Sequence, residues 1–261
     1  MTISIITICF NSEKTIAKTI ESILEQDYQN IEYLIIDGAS KDGTMKIVNS
    51  YKKKFNQKGI EYVISSEKDK GIYDAMNKGV GKASGDVVGI LNSDDYYAAP
   101  DVLSHVVKAF KDNDIDTCYG NLLYVKGEKP YRYWKSGKPR TFKFGWMPPH
   151  PAFFVKKSVY DMYGSFRLDC GTVADYELML RFLEKNKVST YWIDKTFTYM
   201  EAGGASGANI EARKKAHAND IKAWKVNGLR FSNMTIWLKK IRKLPQFVEA
   251  KFLKVTKILT V

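Results

Sequence analysis

The regular alternation of strand-like and helical patterns over the first 125 residues constrains the fold more than any other feature of the sequence. Short apolar runs predict buried strands at residues 3–9, 31–37, 60–64, 87–91 and 117–125. Apolar residues at helical spacing predict helices between them, at residues 14–26, from residue 42, at 74–83 and at 101–113. This alternation indicates βαβ units and an α/β fold with a mainly parallel sheet flanked by helices.

The sequence after residue 125 is less regular. Residues 126–149 are rich in Tyr, Trp, Gly and Pro, so we predict a long loop there. Further elements are predicted as strands at 153–155, 191–193 and 197–200 and as helices at 158–163, at 175–185 and from about residue 209. The length suits one large domain, or one domain with an appendage.

The positive charge of the chain is concentrated near its C-terminus. The formal charge is +12, and residues 222–261 hold ten Lys and Arg against one Glu, a net +9. The rest of the chain is therefore nearly neutral. An enzyme that acts on nucleic acid more often carries its basic surface on the folded body, so we expect no nucleic-acid partner.

Cysteine usage and hydropathy indicate a reducing compartment. Cys9, Cys118 and Cys170 are far apart, show no metal-ligand spacing, and their odd number argues against a disulfide framework. The apolar run at residues 1–9 is short and has no basic start, so we do not expect a signal peptide. No run reaches the roughly 20 apolar residues of a membrane-spanning helix. We expect a cytoplasmic protein.

Two adjacent carboxylates follow the fourth predicted strand. Asp94 and Asp95 leave an apolar run at its carboxyl end, where ligands bind in open parallel sheets. Crowded carboxylates repel one another unless a cation lies between them, and Mg²⁺ or Mn²⁺ suits such oxygen ligands. The alternative is a turn that caps the next helix. The position at a strand end favours a metal site.

Other polar residues at strand ends are candidates for nucleotide binding. Asp37 ends the second predicted strand, and a carboxylate there can accept the N3–H of uracil. Asp69, Lys70 and Asn77 lie around a predicted helix start and are candidates for contact with a nucleotide or its phosphates. A solvated surface is the competing interpretation for these three residues.

Asp175, His150 and Trp146 are candidates for catalysis or for substrate binding. Asp175 opens a predicted helix, where it either caps the helix or accepts a proton from a sugar hydroxyl. His150 lies in a proline-rich turn, and Trp146, like Trp134, has a face on which a sugar ring can stack. Each of these aromatic residues is also ordinary core material.

Four ordered motifs resemble the family 2 inverting glycosyltransferases. They are TICFN at residues 7–11, YLIIDGASKDGT at 33–44, LNSDD at 91–95 and ADYE at 174–177. Residues 66–79 resemble the bacterial subgroup that builds exopolysaccharide, O-antigen and capsule units. The resemblance covers roughly residues 1–210 and implies a GT-A fold, with a nucleotide-sugar-binding half at 1–125 and an acceptor-binding half at 126–221.

The resemblance also implies roles for individual residues. With the candidates above, the donor-binding set is Thr7, Phe10, Asn11, Asp37, Asp69, Lys70, Asn77 and Asp94. Asp95 and Asp94 are the implied ligands of Mn²⁺ or Mg²⁺, and Asp175 is the implied catalytic base. Gly203, Gly204 and Ser206 match a loop that closes near the acceptor, where His150 and Trp146 are also placed. The motif at 93–95 reads Ser-Asp-Asp rather than Asp-x-Asp, and Ala174 replaces an acidic residue that many members carry.

The C-terminal residues 222–261 are predicted to form a basic amphipathic helical tail. Apolar residues recur there at helical spacing with Lys and Arg between them, and Pro245 is expected to kink or split the helix. Such a pattern suits an anionic membrane surface. The alternatives are a helix packed on the body and a contact in a homodimer.

The expected function is the metal-dependent transfer of a sugar from a nucleotide-sugar, with UDP favoured, to a hydroxyl of a glycan acceptor. We expect a lipid-linked acceptor, cell-surface polysaccharide synthesis, and a peripheral location at the inner face of the cell membrane. A nucleotidyltransferase is a second reading, but it needs a glycine-rich basic loop after the first strand, where Phe10 to Glu13 stand. A basic membrane adaptor with vestigial catalytic residues is the non-enzymatic alternative.

Overall fold

The computed structural model describes residues 1–127, 129–202 and 210–253. Over these residues the chain is an α/β protein built on one nine-stranded sheet. The strands are β1 Ile3–Cys9, β2 Ile31–Asp37, β3 Glu61–Ser66, β4 Val87–Ile90, β5 Asp95–Tyr97, β6 Thr117–Lys126, β7 Lys129–Trp134, β8 Phe153–Lys156 and β9 Thr190–Glu201. The helices are α1 Ile16–Leu24, α2 Thr44–Ser50, α3 Lys52–Gln57, α4 Ile72–Lys82, α5 Val102–Asp112, α6 Lys157–Tyr163, α7 Ala174–Met179, α8 Ile210–Val226, α9 Asn233–Ile241 and α10 Leu244–Glu249.

The sheet is parallel on one side and mixed on the other. Its order is β3-β2-β1-β4-β8-β6-β9-β5, with β7 paired to β6. The first four strands of that order are parallel, as predicted. Beyond them, β8 is antiparallel to both β4 and β6, and β9 is parallel to β6 but antiparallel to β5. The register places Cys9 opposite Asp37 and Asp37 opposite Ser66, so three strand ends meet at one edge.

Both faces of the sheet are buried, which explains the unbroken apolar runs of β1 and β2. On β1, Ile5 belongs to the core under α1, and the next residue, Ile6, belongs to the core under α4. Gly79 lets α4 approach the sheet closely, because a Cβ at this position would collide with Ile6. This packing fixes the start of α4 beside the strand ends.

Four features differ from the sequence-based expectations. The predicted loop at 126–149 contains β7, which pairs Trp134 with Leu122. Its Tyr and Pro content suggested a loop, whereas cross-strand pairing makes it a strand. The two short strands predicted near residues 191–200 are one continuous strand, β9, and β5 was not predicted. The helix predicted at 175–185 changes to a π-helix from Leu180.

The C-terminal helices pack on the body. The boundary predicted at residues 221 and 222 falls inside α8, and Ala223 and Trp224 are buried in the main core. The predicted effect of Pro245 is confirmed, since α9 ends at Ile241 and α10 begins at Leu244. Within the part of the chain that the structure describes, no helix is long and apolar enough to cross a membrane.

Candidate active site

Asp37 lies at the edge where β1, β2 and β3 end. Its carboxylate is fully buried and accepts hydrogen bonds from the Ser66 hydroxyl at 2.6 Å and from the Ser40 backbone N–H at 3.1 Å. The Cys9 thiol lies 3.7 Å away, and burial followed by the charge of Asp37 raises the pKa of Cys9. Asp37 is therefore held rigidly at this edge of the sheet. Its predicted contact with a nucleotide base stays a prediction.

An exposed aromatic ring stands beside Asp37. Phe10 directly follows β1 and is 62% exposed. Gly38 lies next to it, and a Cβ built on Gly38 would come within 2.5 Å of Asp69 Oδ2 and 3.3 Å of the Phe10 ring. Asn11 has a φ of 49° and accepts a hydrogen bond from the Lys41 N–H through its side-chain oxygen. Phe10, Gly38 and Asp69 thus form an open platform with one aromatic face.

Three other predicted donor residues make contacts within the protein. The Thr7 side chain is fully buried and accepts a hydrogen bond from the Tyr33 hydroxyl at 3.1 Å. Both polar atoms of the Asn77 amide bond the backbone of Phe166, at 2.8 and 2.9 Å. Lys70 is exposed at the start of α4. The predicted roles of these residues in donor binding stay predictions.

The acidic pair occupies two different environments. Asp94 lines an open cavity of about 460 Å³, in which it is joined by Asn11, Ser12, Glu13, Asp42 and Ser93. Asp95 lies behind it as the first residue of β5 and is fully buried. One oxygen of Asp95 accepts a hydrogen bond from Asn92 at 2.8 Å, and the other, Oδ1, is buried without a hydrogen-bond partner among the described residues.

The electrostatics of the pair suit a cation. Burial and then the charge of Asp94 raise the pKa of Asp95 well above its ordinary value. Burial and the charge of Glu201 raise the pKa of Asp94. A buried, unpaired carboxylate oxygen is costly, and a bound divalent cation would satisfy it. Carboxylate oxygens are ligands of the kind that Mn²⁺ or Mg²⁺ takes, with phosphate and water in the rest of the shell. Among the described residues, no group of three His, Cys, Asp or Glu could hold a metal ion.

Asp175 lies in the first turn of α7. Its Oδ1 accepts a hydrogen bond from the Tyr73 hydroxyl at 3.1 Å, and burial followed by the charge of Asp175 raises the pKa of Tyr73. Tyr124 is influenced by both carboxylates. Burial raises the pKa of Tyr124, the charges of Asp95 and Asp175 act in the same direction, and Arg132 opposes them through its charge and a hydrogen bond.

A buried ion pair positions α7. Arg181 forms two parallel hydrogen bonds of 3.0 Å with Glu177, which is fully buried. The same guanidinium donates to the backbone carbonyls of residues 163–165, and Asn227, which follows α8, donates to Glu177 at 3.1 Å. Removal of one partner would leave an unpaired buried charge. This network fixes the direction in which the first turn of α7 presents Asp175.

The residues predicted to contact the acceptor are mostly buried. His150 stacks edge-on against Phe166, and burial lowers its pKa while the nearby charge of Asp175 acts in the opposite direction. Trp146 donates its indole N–H to the Ser136 carbonyl at 3.0 Å and packs on Tyr119. Gly203, Gly204 and Ser206 lie outside the described residues.

A second cavity, of about 250 Å³, lies where β7 and the segment after it meet α9 and α10. We call it the cationic cavity, and its lining includes Trp134, Lys135, Trp146, Lys239, Arg242 and Lys243. Lys243 is an exposed residue that lines this cavity. Desolvation, with the charges of Lys239 and Arg132, lowers the pKa of Lys243 to about 8, whereas Asp220 and Asp175 oppose the shift.

Sequence reasoning missed several residues that shape this site. Tyr73 stood in a recognised motif, but its contact with Asp175 spans 102 positions in the chain. Tyr124 and Arg181 carried no local signal. The cations of α9 and α10 were noted as a helical pattern, and their meeting with Trp134 in a cavity depends on tertiary packing.

The comparison with protein families gives this chain its class. The model described as Glycosyl transferase family 2 matches residues 4–168. That match spans β1 to the loop before α7 and includes Asp37, Asp94 and Asp95. The chain belongs to glycosyl transferase family 2, and it is a transferase enzyme.

Individual relatives agree with this assignment. An uncharacterized glycosyltransferase of Mycobacterium tuberculosis is 34% identical over 191 residues, which cover 69% of this chain and 68% of the relative. The structure of Staphylococcus aureus TarS in complex with UDP-GlcNAc aligns with a TM-score of 0.60 at 18% identity, over 96% of this chain and 79% of that one. A mannosyltransferase from Pyrobaculum calidifontis, in complex with GDP-Man and Mn²⁺, aligns with a TM-score of 0.66 at 17% identity, over 95% and 73%. Both structural likenesses support the GT-A fold.

Proposed function

We propose that this enzyme is a metal-dependent inverting glycosyltransferase that moves a sugar from a UDP-sugar to a hydroxyl of a lipid-linked glycan acceptor. One observation carries the proposal. The Oδ1 oxygen of Asp95 is buried without a hydrogen-bond partner among the described residues, next to Asp94 at the open cavity. A divalent cation held there would bind the phosphates of a nucleotide-sugar, and an acceptor held near Asp175 would meet its sugar.

Asp94 and Asp95 are the proposed ligands of Mn²⁺ or Mg²⁺. Asp94 reaches the open cavity, and the free oxygen of Asp95 lies behind it. A divalent cation held there supplies Lewis-acid stabilisation of the nucleoside diphosphate that leaves. The Mn²⁺ and GDP-Man in the complex of the mannosyltransferase from Pyrobaculum calidifontis support this part of the proposal.

Asp175 is the proposed catalytic base. It accepts the proton of the acceptor hydroxyl as that oxygen attacks the anomeric carbon from the face opposite the leaving group. One such displacement inverts the configuration at that carbon. The Tyr73 hydroxyl, at 3.1 Å, orients the carboxylate, and the Glu177–Arg181 pair holds its helix. Positioning of this kind supplies much of the rate in a reaction between two bound substrates.

UDP is the proposed nucleotide of the donor. Asp37 is followed by Gly38, which lies against the exposed ring of Phe10, so a uracil stacked on that ring would direct its N3–H towards this strand end. The UDP-GlcNAc complex of TarS supports a uridine donor, and the GDP-Man complex shows that a related fold holds a different base. Calorimetry with UDP, GDP and Mn²⁺ tests this part directly. If neither UDP nor GDP gives a heat of binding, with or without metal, the result would favour the vestigial adaptor instead.

The C-terminal helices are the proposed contact with the inner face of the cell membrane. Trp237 is 61% exposed and Phe252 is 85% exposed, and Leu244 and Val248 are exposed between them. The exposed Lys240 and Lys251 lie in the same segment. Apolar side chains with flanking cations suit an anionic bilayer surface, where an enzyme of the cytoplasm would meet a lipid-linked acceptor.

Cosedimentation with vesicles of equal parts phosphatidylglycerol and phosphatidylcholine tests the membrane contact. Trp237→Ser with Phe252→Ser removes two large apolar groups, each worth roughly 1.5–3 kcal/mol when buried. We expect vesicle binding to fall at least about tenfold. Met162→Ser, an equally exposed apolar change on α6, is the control and should leave binding unchanged. Equal binding by all three proteins would contradict the membrane assignment.

A further inference from the structure

The cationic cavity holds more positive charge than its own carboxylates neutralise. Lys135 pairs with Asp194 at 3.3 Å, and Lys239 pairs with Asp220 at 2.6 Å. Arg242 and Lys243 line the same cavity, and neither has a carboxylate within 4.0 Å among the described residues. Glu249 lines the same cavity and forms no ion pair with these cations among the described residues, so the lining keeps a net positive charge.

The two uncompensated cations come from the break between α9 and α10. Arg242 caps the C-terminus of α9, and Lys243 stands at the start of α10. Pro245 lies in the first turn of α10, where its missing N–H is tolerated, and it prevents α9 from continuing as one regular helix. Burial and the nearby Arg140 lower the pKa of Arg242. Like charges held together in this way are stabilised by a bound anion.

A polar atom in the same cavity also lacks a partner. The side-chain oxygen of Gln246 is buried and accepts no hydrogen bond from the described residues. Buried polar atoms of native proteins are normally bonded, so this one is suited to a ligand hydroxyl. The volume of about 250 Å³ is several times the roughly 30 Å³ of a water molecule. It is large enough for a phosphate group with part of a sugar.

The cavity is linked to the reaction centre. Lys239 lines the cavity, and its ammonium lies 3.5 Å from the centre of the ring of Tyr176, the residue that follows Asp175 in α7. The charges of Arg132 and Asp175 also act on Lys243. The cavity and the first turn of α7 are therefore neighbours.

We propose that the cationic cavity binds the phosphate of a phosphate-linked acceptor through Arg242 and Lys243, and so directs the acceptor hydroxyl to Asp175. This inference rests on the proposed function and names the chemistry of its acceptor. Arg binds phosphate oxygens through two parallel hydrogen bonds, and Lys adds a point charge. Arg242 and Lys243 lie beyond residues 4–168, the part of the chain that the family model matches.

Calorimetry with octyl phosphate tests the inference. EDTA in the buffer removes binding through a metal at Asp94 and Asp95, and octyl glucoside is the uncharged ligand of the same chain length. We expect the wild type to bind octyl phosphate at least about tenfold more tightly than octyl glucoside. Arg242→Ala with Lys243→Ala should lose that preference.

Matched variants separate a site from general positive charge. Lys52→Ala with Lys53→Ala removes the same charge from exposed positions of α3, and octyl phosphate binding should stay within about twofold of the wild type. Lys243→Gln, which keeps most of the side-chain stem, is the second cavity variant and should weaken binding several-fold. Equal losses in the two double variants would overturn the inference, as would octyl phosphate and octyl glucoside binding equally well.

Two further readouts identify what has failed. Inorganic phosphate that binds as tightly as octyl phosphate would overturn the assignment to a linked acceptor. Calorimetry with UDP and Mn²⁺ on the same proteins should give equal affinities for the wild type and both double variants. If the wild type does not bind UDP with Mn²⁺, this would count against the proposed function. If it binds UDP but not octyl phosphate, this would count against the acceptor site alone.

Discussion

The donor side and the acceptor side of the molecule are built in opposite ways. On the donor side, Asp37 already accepts hydrogen bonds from Ser40 and Ser66, whereas Asp95 and Asn92 each keep a buried oxygen without a partner among the described residues. The cavity there has three carboxylates, Glu13, Asp42 and Asp94, against one cation, Lys14. On the acceptor side, four cations that include Arg242 and Lys243 line a cavity with one carboxylate, Glu249. One cavity lining is therefore net negative and the other net positive.

This difference shows how the two substrates would be recognised. Because the hydrogen bonds of Asp37 hold it in place and the ring of Phe10 is exposed, this surface is organised before the donor binds. Such preorganisation lowers the free-energy cost of ordering side chains on binding. The missing positive charge at Asp95 is supplied by a cation that arrives with the donor phosphates. The surplus at Arg242 and Lys243 calls for an anion on the other substrate. Asp175 lies between the two regions.

Asp175→Asn should have the largest effect, because it removes the group that we place between the two sides. A general base typically contributes 10²–10⁴ in rate, so transfer should fall by about a thousandfold. Binding of UDP with Mn²⁺ should stay unchanged. Asp161→Asn, an exposed change on α6, is the control. An Asp175→Asn enzyme with near-normal turnover would refute the assignment of the base.

Asp95→Asn should abolish the stabilisation of the protein by Mn²⁺. At about 100 times its dissociation constant, a ligand adds about 2.7 kcal/mol to the free energy of unfolding, which raises Tm by several degrees. The variant should lose this gain and keep a Tm without metal at least as high as the wild type. The measurement is thermal unfolding with Mn²⁺ and with EDTA. A full Mn²⁺ effect in the variant would exclude Asp95 as a ligand.

The same experiment has a pH dependence with a definite sign. Because the folded state raises the pKa of Asp95, its protonated form favours folding, and this contribution is lost as the pH rises above the ordinary value of 3.8. Mn²⁺ binds the ionised form of Asp95, so the gain in Tm on adding Mn²⁺ should become larger as the pH rises. A gain that shrinks as the pH rises would contradict a carboxylate site.

Tyr73→Phe should have a smaller effect on the acceptor side. It removes the 3.1 Å hydrogen bond to Asp175 but keeps the stacking on Phe166. A hydrogen bond to a charged group is worth about 1.5–3 kcal/mol, and water can replace part of it, so we expect kcat to fall roughly tenfold. Tyr163→Phe, which packs on Phe182, is the control. An unchanged kcat would remove Tyr73 from the positioning of the base.

Lys243→Arg should change only the pH dependence of phosphate binding. Because the pKa of Lys243 is lowered to about 8, octyl phosphate binding by the wild type should weaken several-fold between about pH 7.5 and 9.5 as Lys243 loses its proton. The charges that act on Lys243 are those of Lys239 and Arg132, which lower its pKa, and those of Asp220 and Asp175, which oppose the shift. Arg does not lose its proton there, so the variant should bind almost independently of pH. Identical profiles would exclude Lys243 as the titrating group.

Much of the donor side could be predicted from sequence because its signals are local. The ends of β1 and β2 were predicted to the residue, since both strands are unbroken apolar runs that end in polar residues. The carboxyl ends of parallel strands meet by geometry, so the clustering of Asn11, Asp37 and Asp94 near one edge followed. The different burial of Asp94 and Asp95 did not follow, because it depends on the pairing of β5 with β9.

The acceptor side could not be derived in the same way. Pairing with β6 turns a Tyr- and Pro-containing stretch into β7, and this pairing joins segments that carry no shared local pattern. The basic spacing of residues 222–261 predicted helices and their split at Pro245, but it did not show that Trp224 enters the core. Whether Arg242 faces water or a cavity is decided by what α9 packs against.

The most direct test of the account is turnover of a panel of nucleotide-sugars with Mn²⁺ or EDTA, by the wild type and by Asp95→Ala. We predict release of UDP from one donor, which EDTA and the substitution both abolish. Release that neither EDTA nor Asp95→Ala affects would contradict the metal-dependent mechanism. Failure to turn over or bind any donor, with or without Mn²⁺, would contradict sugar transfer itself.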